Sequence, residues 1–215
     1  MTATTGSGRK RRAYAPRVPV EQRRTELLDA ALHLVVTRGH PAATMDAVAE
    51  QAGVTKPVVY GVFTGRAELL ATLLRREQGQ ALRQLRALLP ARLDQRLAED
   101  PGALITEVLE EFLRAVREAP NRWYCVVMPM PDMPTELHRA REHARNLALR
   151  GAEGIARRLL RTVDAPPGLA PDILAHTVVT LFETAARLVL TEPDRFRPER
   201  FGAAIRAAIE LADRP

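Results

Sequence analysis

Between Thr55 and Tyr60 the chain reads Thr-Lys-Pro-Val-Val-Tyr, and these side chains have the chemistry to meet a DNA duplex. Lys56, one of only two lysines, can donate to guanine O6 and N7 in the major groove. The same ammonium can settle on a phosphate, since half or more of protein–DNA hydrogen bonds go to the backbone. Pro57 and Val58 offer no donor or acceptor in their side chains, so they can read sequence only through apolar contact, as with a thymine methyl. Tyr60 carries a hydroxyl that reaches a phosphate, or a ring that covers a small core. The hydroxyls of Thr44 and Thr55 can cap a helix and also touch a phosphate.

Those residues need a frame, and residues 44–63 supply one. Thr44 is placed to cap a first short helix carrying Val48, Ala49 and Ala52 on one face, and Gly53 can take the left-handed conformation that ends it. Thr55 then opens a second helix with Pro57 in its first turn, where a missing N–H breaks no intrahelical bond. Val54, Val59 and Phe63 point inward, leaving Thr55, Lys56, Pro57, Val58, Tyr60 and Gly61 outward. This is a helix-turn-helix, whose second helix enters the major groove by its N-terminal end. A brace helix over Val20–Arg38, with Leu27, Leu28, Ala31, Leu34 and Val35 as its stripe, precedes it and stops at Gly39 to Pro41.

A second concentration of distinctive side chains lies at Arg122–Met133, with the only tryptophan, Trp123, next to Tyr124, and with Met128, Met130 and Met133. Trp and Met supply large, adaptable apolar surface suited to a ligand pocket, or to an ordinary core at a helix bend. Phe112, His138, His176 and Phe182 can complete such a wall. Metal and enzyme chemistry find little support. His138 and His143 are five residues apart and do not share a helix face, and Cys125 is the only cysteine. No nucleophile elbow, phosphate-cradling glycine loop or Cys-x-x-Cys occurs. No enzymatic activity, metal or cofactor is expected.

The rest of the chain reads as helix. Apolar residues make up 46% against 4% aromatic, with abundant Ala, Leu and Arg and no strand pattern, so the fold class is all-α with about nine helices. Helices are expected from Arg66 to about Leu88, around Leu104–Val116, around Asn121–Met128, from Thr135 to Val163, near Pro171–Leu190 and near Pro198–Asp213, with residues 91–102 as a polar break. The helix near 171–190 is apolar on more than one face, which suits a dimer contact or the middle of a monomeric bundle. The whole formal charge of +6 is carried by residues 1–24, where seven basic groups face Glu21 alone; this segment is either a phosphate-contacting arm or a solvated tail. The N-terminus has no apolar run after its basic residues, and no stretch of about 18 apolar residues stands out, so a cytoplasmic protein with no membrane partner is expected.

Residues from about Arg24 to Leu70 resemble the TetR family of one-component transcriptional regulators, through Gly39, Thr44, Ala52-Gly53-Val54, Thr55, Tyr60, Phe63 and Arg66 to Leu70. The resemblance implies a homodimer with two N-terminal DNA-binding domains and a C-terminal helical body that binds a small-molecule effector and dimerises. It also implies repression until the ligand arrives. The expected division is a basic arm at 1–19, a DNA-binding domain at 20–66 and the body at 67–215. Pro57 and Val58 stand where small or hydroxylated residues are frequent in the family, and Arg66 replaces its usual lysine. Arg66 is nonetheless expected to anchor a phosphate. Two other readings stay open: a DNA-binding helical dimer whose body binds a protein and no ligand, and a helical enzyme whose motif match is accidental.

Overall fold

The computed structural model describes residues 19–130, 133–163 and 168–212, and every regular element among them is helical. The basic residues Arg9 to Arg17 lie outside the described residues. Helix α1 spans Val20–Arg38 and buries the expected stripe, with Leu27, Ala31 and Leu34 at most 1% exposed. Gly39, at φ 80°, ends it and donates its N–H to the Val35 carbonyl, after which His40–Ala42 form a 3₁₀ turn that periodicity does not announce. Helices α2 (Met45–Gln51) and α3 (Lys56–Tyr60) follow, then α4 (Arg66–Ala87), whose 22 residues run for about 33 Å.

The body is built from α5 (Leu93–Glu99), α6 (Pro101–Glu118), α7 (Pro120–Val127), α8 (Thr135–Thr162), α9 (Pro171–Thr191) and α10 (Pro198–Ala212). The all-α expectation holds. Among the described residues one helix more than expected appears, α5, inside the stretch expected to be a polar break. Its sequence offers only Leu93 and Leu97 as an apolar pair, and tertiary contacts hold it: Leu97 is buried, α5 packs on α6 and α8, and Arg96 pairs with Glu107 at 2.8 Å. Burying one leucine is worth about 1.5–3 kcal/mol, enough to order a helix too short to persist alone.

Two hydrophobic clusters organise the described residues. The first joins α1, α2, α3 and the N-terminal half of α4 through Leu69, Leu70, Leu73 and Leu74. The second joins Ala81 of α4 to α6, α7 and α9 around Leu109, Phe112, Leu113, Val116 and Trp123. Two elements serve both: α4 along its length, and α7, which sends Trp123 and Val127 into the second cluster and Cys125 into the first. The head that carries α3 is therefore packed onto the body through two helices.

Helix α9 is long and apolar enough by length and composition to cross a membrane, although its sequence holds no unbroken run of about 18 apolar residues. It packs on α6, α7 and α8, burying Ala175, Ala185, Ala186 and Val189, and its Glu183 pairs with Arg145 of α8 at 2.8 Å. Ile173 and Leu181 on the same helix stay exposed.

Candidate nucleic-acid interface

Local chemistry sets the start of α2. Thr44 is extended and its side chain accepts the Ala47 N–H at 3.1 Å, satisfying one of the N–H groups that a helix start leaves open. Val48 and Ala49 then bury in the first cluster, with α2 packing on α1 and α3, and Gly53, at φ 65°, turns the chain. Thr55 occupies the cap position of α3 but accepts no cap hydrogen bond through its side chain, which corrects the expected capping role. The five-residue α3 is held from beneath by Val59 and Phe63, at most 1% exposed. A helix this short owes its order to those two side chains.

The outward face carries the expected residues. Thr55, Lys56, Pro57, Val58, Tyr60 and Gly61 are exposed together, with Tyr60 at 49%. Lys56 is not alone on that face. Its Nζ lies 2.8 Å from Oδ1 of Asp46 on α2 and sits 6.0 Å above the Tyr60 ring. The hydrogen bond to Asp46 raises the Lys56 pKa above its ordinary value. Sequence periodicity does not point to Asp46. An acid ten positions before a lysine carries no periodic signal, and only the turn at Gly53 brings the two together.

Arg66, expected on a phosphate, is turned inward. It donates Nη2 to the His40 carbonyl at 2.6 Å and Nε to the Ala43 carbonyl at 3.1 Å, tying the start of α4 to the connection between α1 and α2. Glu68 reaches back to the Thr64 N–H at 2.7 Å, and that bond lowers its pKa. Of the basic residues leading into the motif, Arg23 pairs with Glu26 at 2.7 Å and Arg24 lies over the Phe63 ring at 4.8 Å.

The residues expected to form a ligand wall are split three ways. Phe112 meets Trp123 edge-on at 4.9 Å and Phe182 at 5.3 Å in the body cluster, where Met128 joins them. Tyr124 is half-buried nearby in sequence. Met130 and Met133 pack on the first cluster instead, lining with Val35, His40, Leu70, Leu73, Leu74 and Cys125 a small cavity of about 30 Å³. His176 is exposed on α9, and His138 is exposed on α8. The Trp123 indole N–H is buried and has no hydrogen-bond partner among the described residues. Among the described residues no group of His, Cys, Asp and Glu is placed to hold a metal.

The family description "Bacterial regulatory proteins, tetR family" matches residues 27–73, the segment that supplies most of the first cluster. The chain is 40% identical over 80 residues to the HTH-type transcriptional activator FasR of Mycolicibacterium smegmatis, a match covering 37% of this chain and 36% of that one. The chain thus spans about a third of that relative's length. Solved structures share the fold over far more of the chain. A TetR-like transcriptional regulator from Rhodococcus sp. RHA1 is similar with a TM-score of 0.70 at 20% identity, over 92% of this chain and 100% of that one. FadR from Bacillus subtilis, in complex with stearoyl-CoA, is similar with a TM-score of 0.65 at 15% identity, over 84% of this chain and 94% of that one.

Proposed function

We propose that this chain is a TetR-family transcriptional regulator and that it works as a homodimeric repressor, released from an inverted-repeat operator by a small, largely apolar ligand. The observation that carries the DNA side of this reading is the exposed face of α3, with Lys56, Val58 and Tyr60 presented on a helix locked from below by Val59 and Phe63. Lys56 donates to a guanine, Pro57 and Val58 meet thymine methyls, and Tyr60 with the Thr44 and Thr55 hydroxyls contacts phosphates. Arg66 acts one step back by fixing the frame through His40 and Ala43.

The exposed Ile173 and Leu181 of α9 support the dimer, since an apolar helix face left in water favours a self-complementary partner. Two copies of α3 would then lie about 34 Å apart, one DNA turn, and a ligand that changes their separation costs both half-sites their register. The head at 20–66 and the body at 67–215 communicate through α4 and α7. For the ligand, support comes from the buried aromatic group Phe112, Trp123 and Phe182 and from the stearoyl-CoA bound to the B. subtilis FadR, a structural neighbour. Repression follows from the family resemblance, whereas the M. smegmatis relative is named an activator.

Selection of bound fragments from a random DNA pool at near-physiological salt tests the reading. Enrichment of an inverted repeat supports it; binding without enrichment that vanishes as salt rises overturns it. With the operator in hand, a reporter silenced by the protein establishes repression, and one that is raised establishes activation. Saturable quenching of Trp123 by a fatty acyl compound, coupled to DNA release, separates a ligand-binding body from a protein-binding one.

A further inference from the structure

Asp46 and Lys56 are both more than half exposed, at 67% and 54% of their side chains, yet they face each other at 2.8 Å across the turn of the helix-turn-helix. Exposed pairs at such a distance are worth little to stability, generally under about 1 kcal/mol, so folding alone gives this pair a weak rationale. Its position supplies a stronger one. Asp46 sits in the first turn of α2 and Lys56 is the first residue of α3, the end of that helix that meets the groove. A carboxylate here is an anion carried into a polyanion.

We infer that Asp46 is a specificity-determining residue, which withholds Lys56 from phosphates and yields it only to a guanine edge. The inference rests on the proposed base contact of Lys56. On a duplex without the right base, Lys56 keeps its carboxylate, releases no counterion, and the Asp46 charge repels the backbone. Where guanine stands at the matching step, O6 and N7 offer two acceptors fixed in the groove, and the ammonium exchanges one anionic partner for both. Asp46 therefore lowers affinity for every sequence and lowers it least for the operator. Specificity is a difference of affinities, and a repulsive group aimed at wrong sites widens it.

The test compares the full-length protein with Asp46→Asn, Asp46→Glu, Lys56→Ala and the Asp46→Asn/Lys56→Ala pair. Each is titrated onto the selected operator and onto a random duplex of equal length over a range of salt. Asp46→Asn is expected to tighten random-duplex binding about three- to fivefold, to steepen its salt dependence by about one charge, and to strengthen operator binding less. Asp46→Glu, which keeps the carboxylate within reach, is expected to restore the wild-type ratio. In the double variant the extra salt dependence disappears, because no ammonium is left to release. If Asp46→Asn weakens both duplexes equally, or leaves their ratio unchanged, Asp46 serves only the start of α2 and the inference fails. If Lys56→Ala leaves operator affinity unchanged, the base contact itself is wrong, whatever Asp46→Asn does.

Discussion

Arg122, on α7, holds its Nε 3.4 Å from Oε2 of Glu77, a carboxylate on α4 that is 2% exposed. Arg76 takes the other oxygen at 2.7 Å and extends to Asp29 of α1 at 2.8 Å. The ionic chain Asp29–Arg76–Glu77–Arg122 thus links α1 to the body through α4, along a cleft of about 520 Å³.

A buried carboxylate stripped of its partners is costly, whereas a guanidinium left near the surface can find water. Replacing both Arg76 and Arg122 by Ala is therefore expected to cost about 3–5 kcal/mol. Glu77→Gln is expected to cost less, about 1–3 kcal/mol, because both arginines are at least 20% exposed. Urea unfolding midpoints measure both. Equal costs would mean that the carboxylate is not the strained member.

Gly202 of α10 lies so close to α6 that a Cβ there would overlap the Glu110 carboxylate. That carboxylate is held by Arg206 at 2.9 Å and by Arg114 at 3.2 Å, so moving it aside disturbs both ion pairs. Gly202→Ala is expected to destabilise by about 1–3 kcal/mol. Combined with Glu110→Ala, the cost should fall well below the sum of the single effects, a coupling that a thermal double-mutant cycle reads directly.

Burial pushes the Cys125 thiol up to about 12, from an ordinary value of 9.0. The raised pKa favours the neutral thiol in the folded protein, so its stabilising contribution is whole below pH 9. Above it the unfolded chain loses the proton while the folded chain keeps it, and stability falls by about 1.4 kcal/mol per pH unit until pH 12. Unfolding free energies of Cys125→Ala measured between pH 8 and pH 11 should lack this component of the slope. At pH 8 the native thiol should resist a disulfide reagent that reacts at once after unfolding.

The two threonines that open α2 and α3 should part company. Thr44→Ala removes a cap bond and is expected to cost about 1 kcal/mol. Thr55→Ala removes none and should leave the unfolding midpoint within about 0.5 kcal/mol of wild type. Both are expected to weaken operator binding through lost phosphate contacts, as titration at fixed salt would show. Unchanged affinity in either variant removes that threonine from the interface.

The sequence by itself determined where the chain bends and which way its helices face. Gly39, Thr44, Gly53 and Pro57 act on backbone within four residues of themselves, and the stripe Leu27, Leu28, Ala31, Leu34, Val35 needs only the helical period. The helix boundaries around the DNA-reading motif and its outward face were legible for that reason. Partners were not. Arg66 finds carbonyls 23 and 26 residues away, Lys56 finds an acid across a turn, and Met130 and Met133 leave Trp123 for a different cluster. Such choices depend on how helices cross and how far apart they lie, which no local pattern encodes. The 3₁₀ turn at His40–Ala42 and helix α5 belong with them. Each is too short to hold its own hydrogen bonds in water, and each exists because the packing around it removes the alternative.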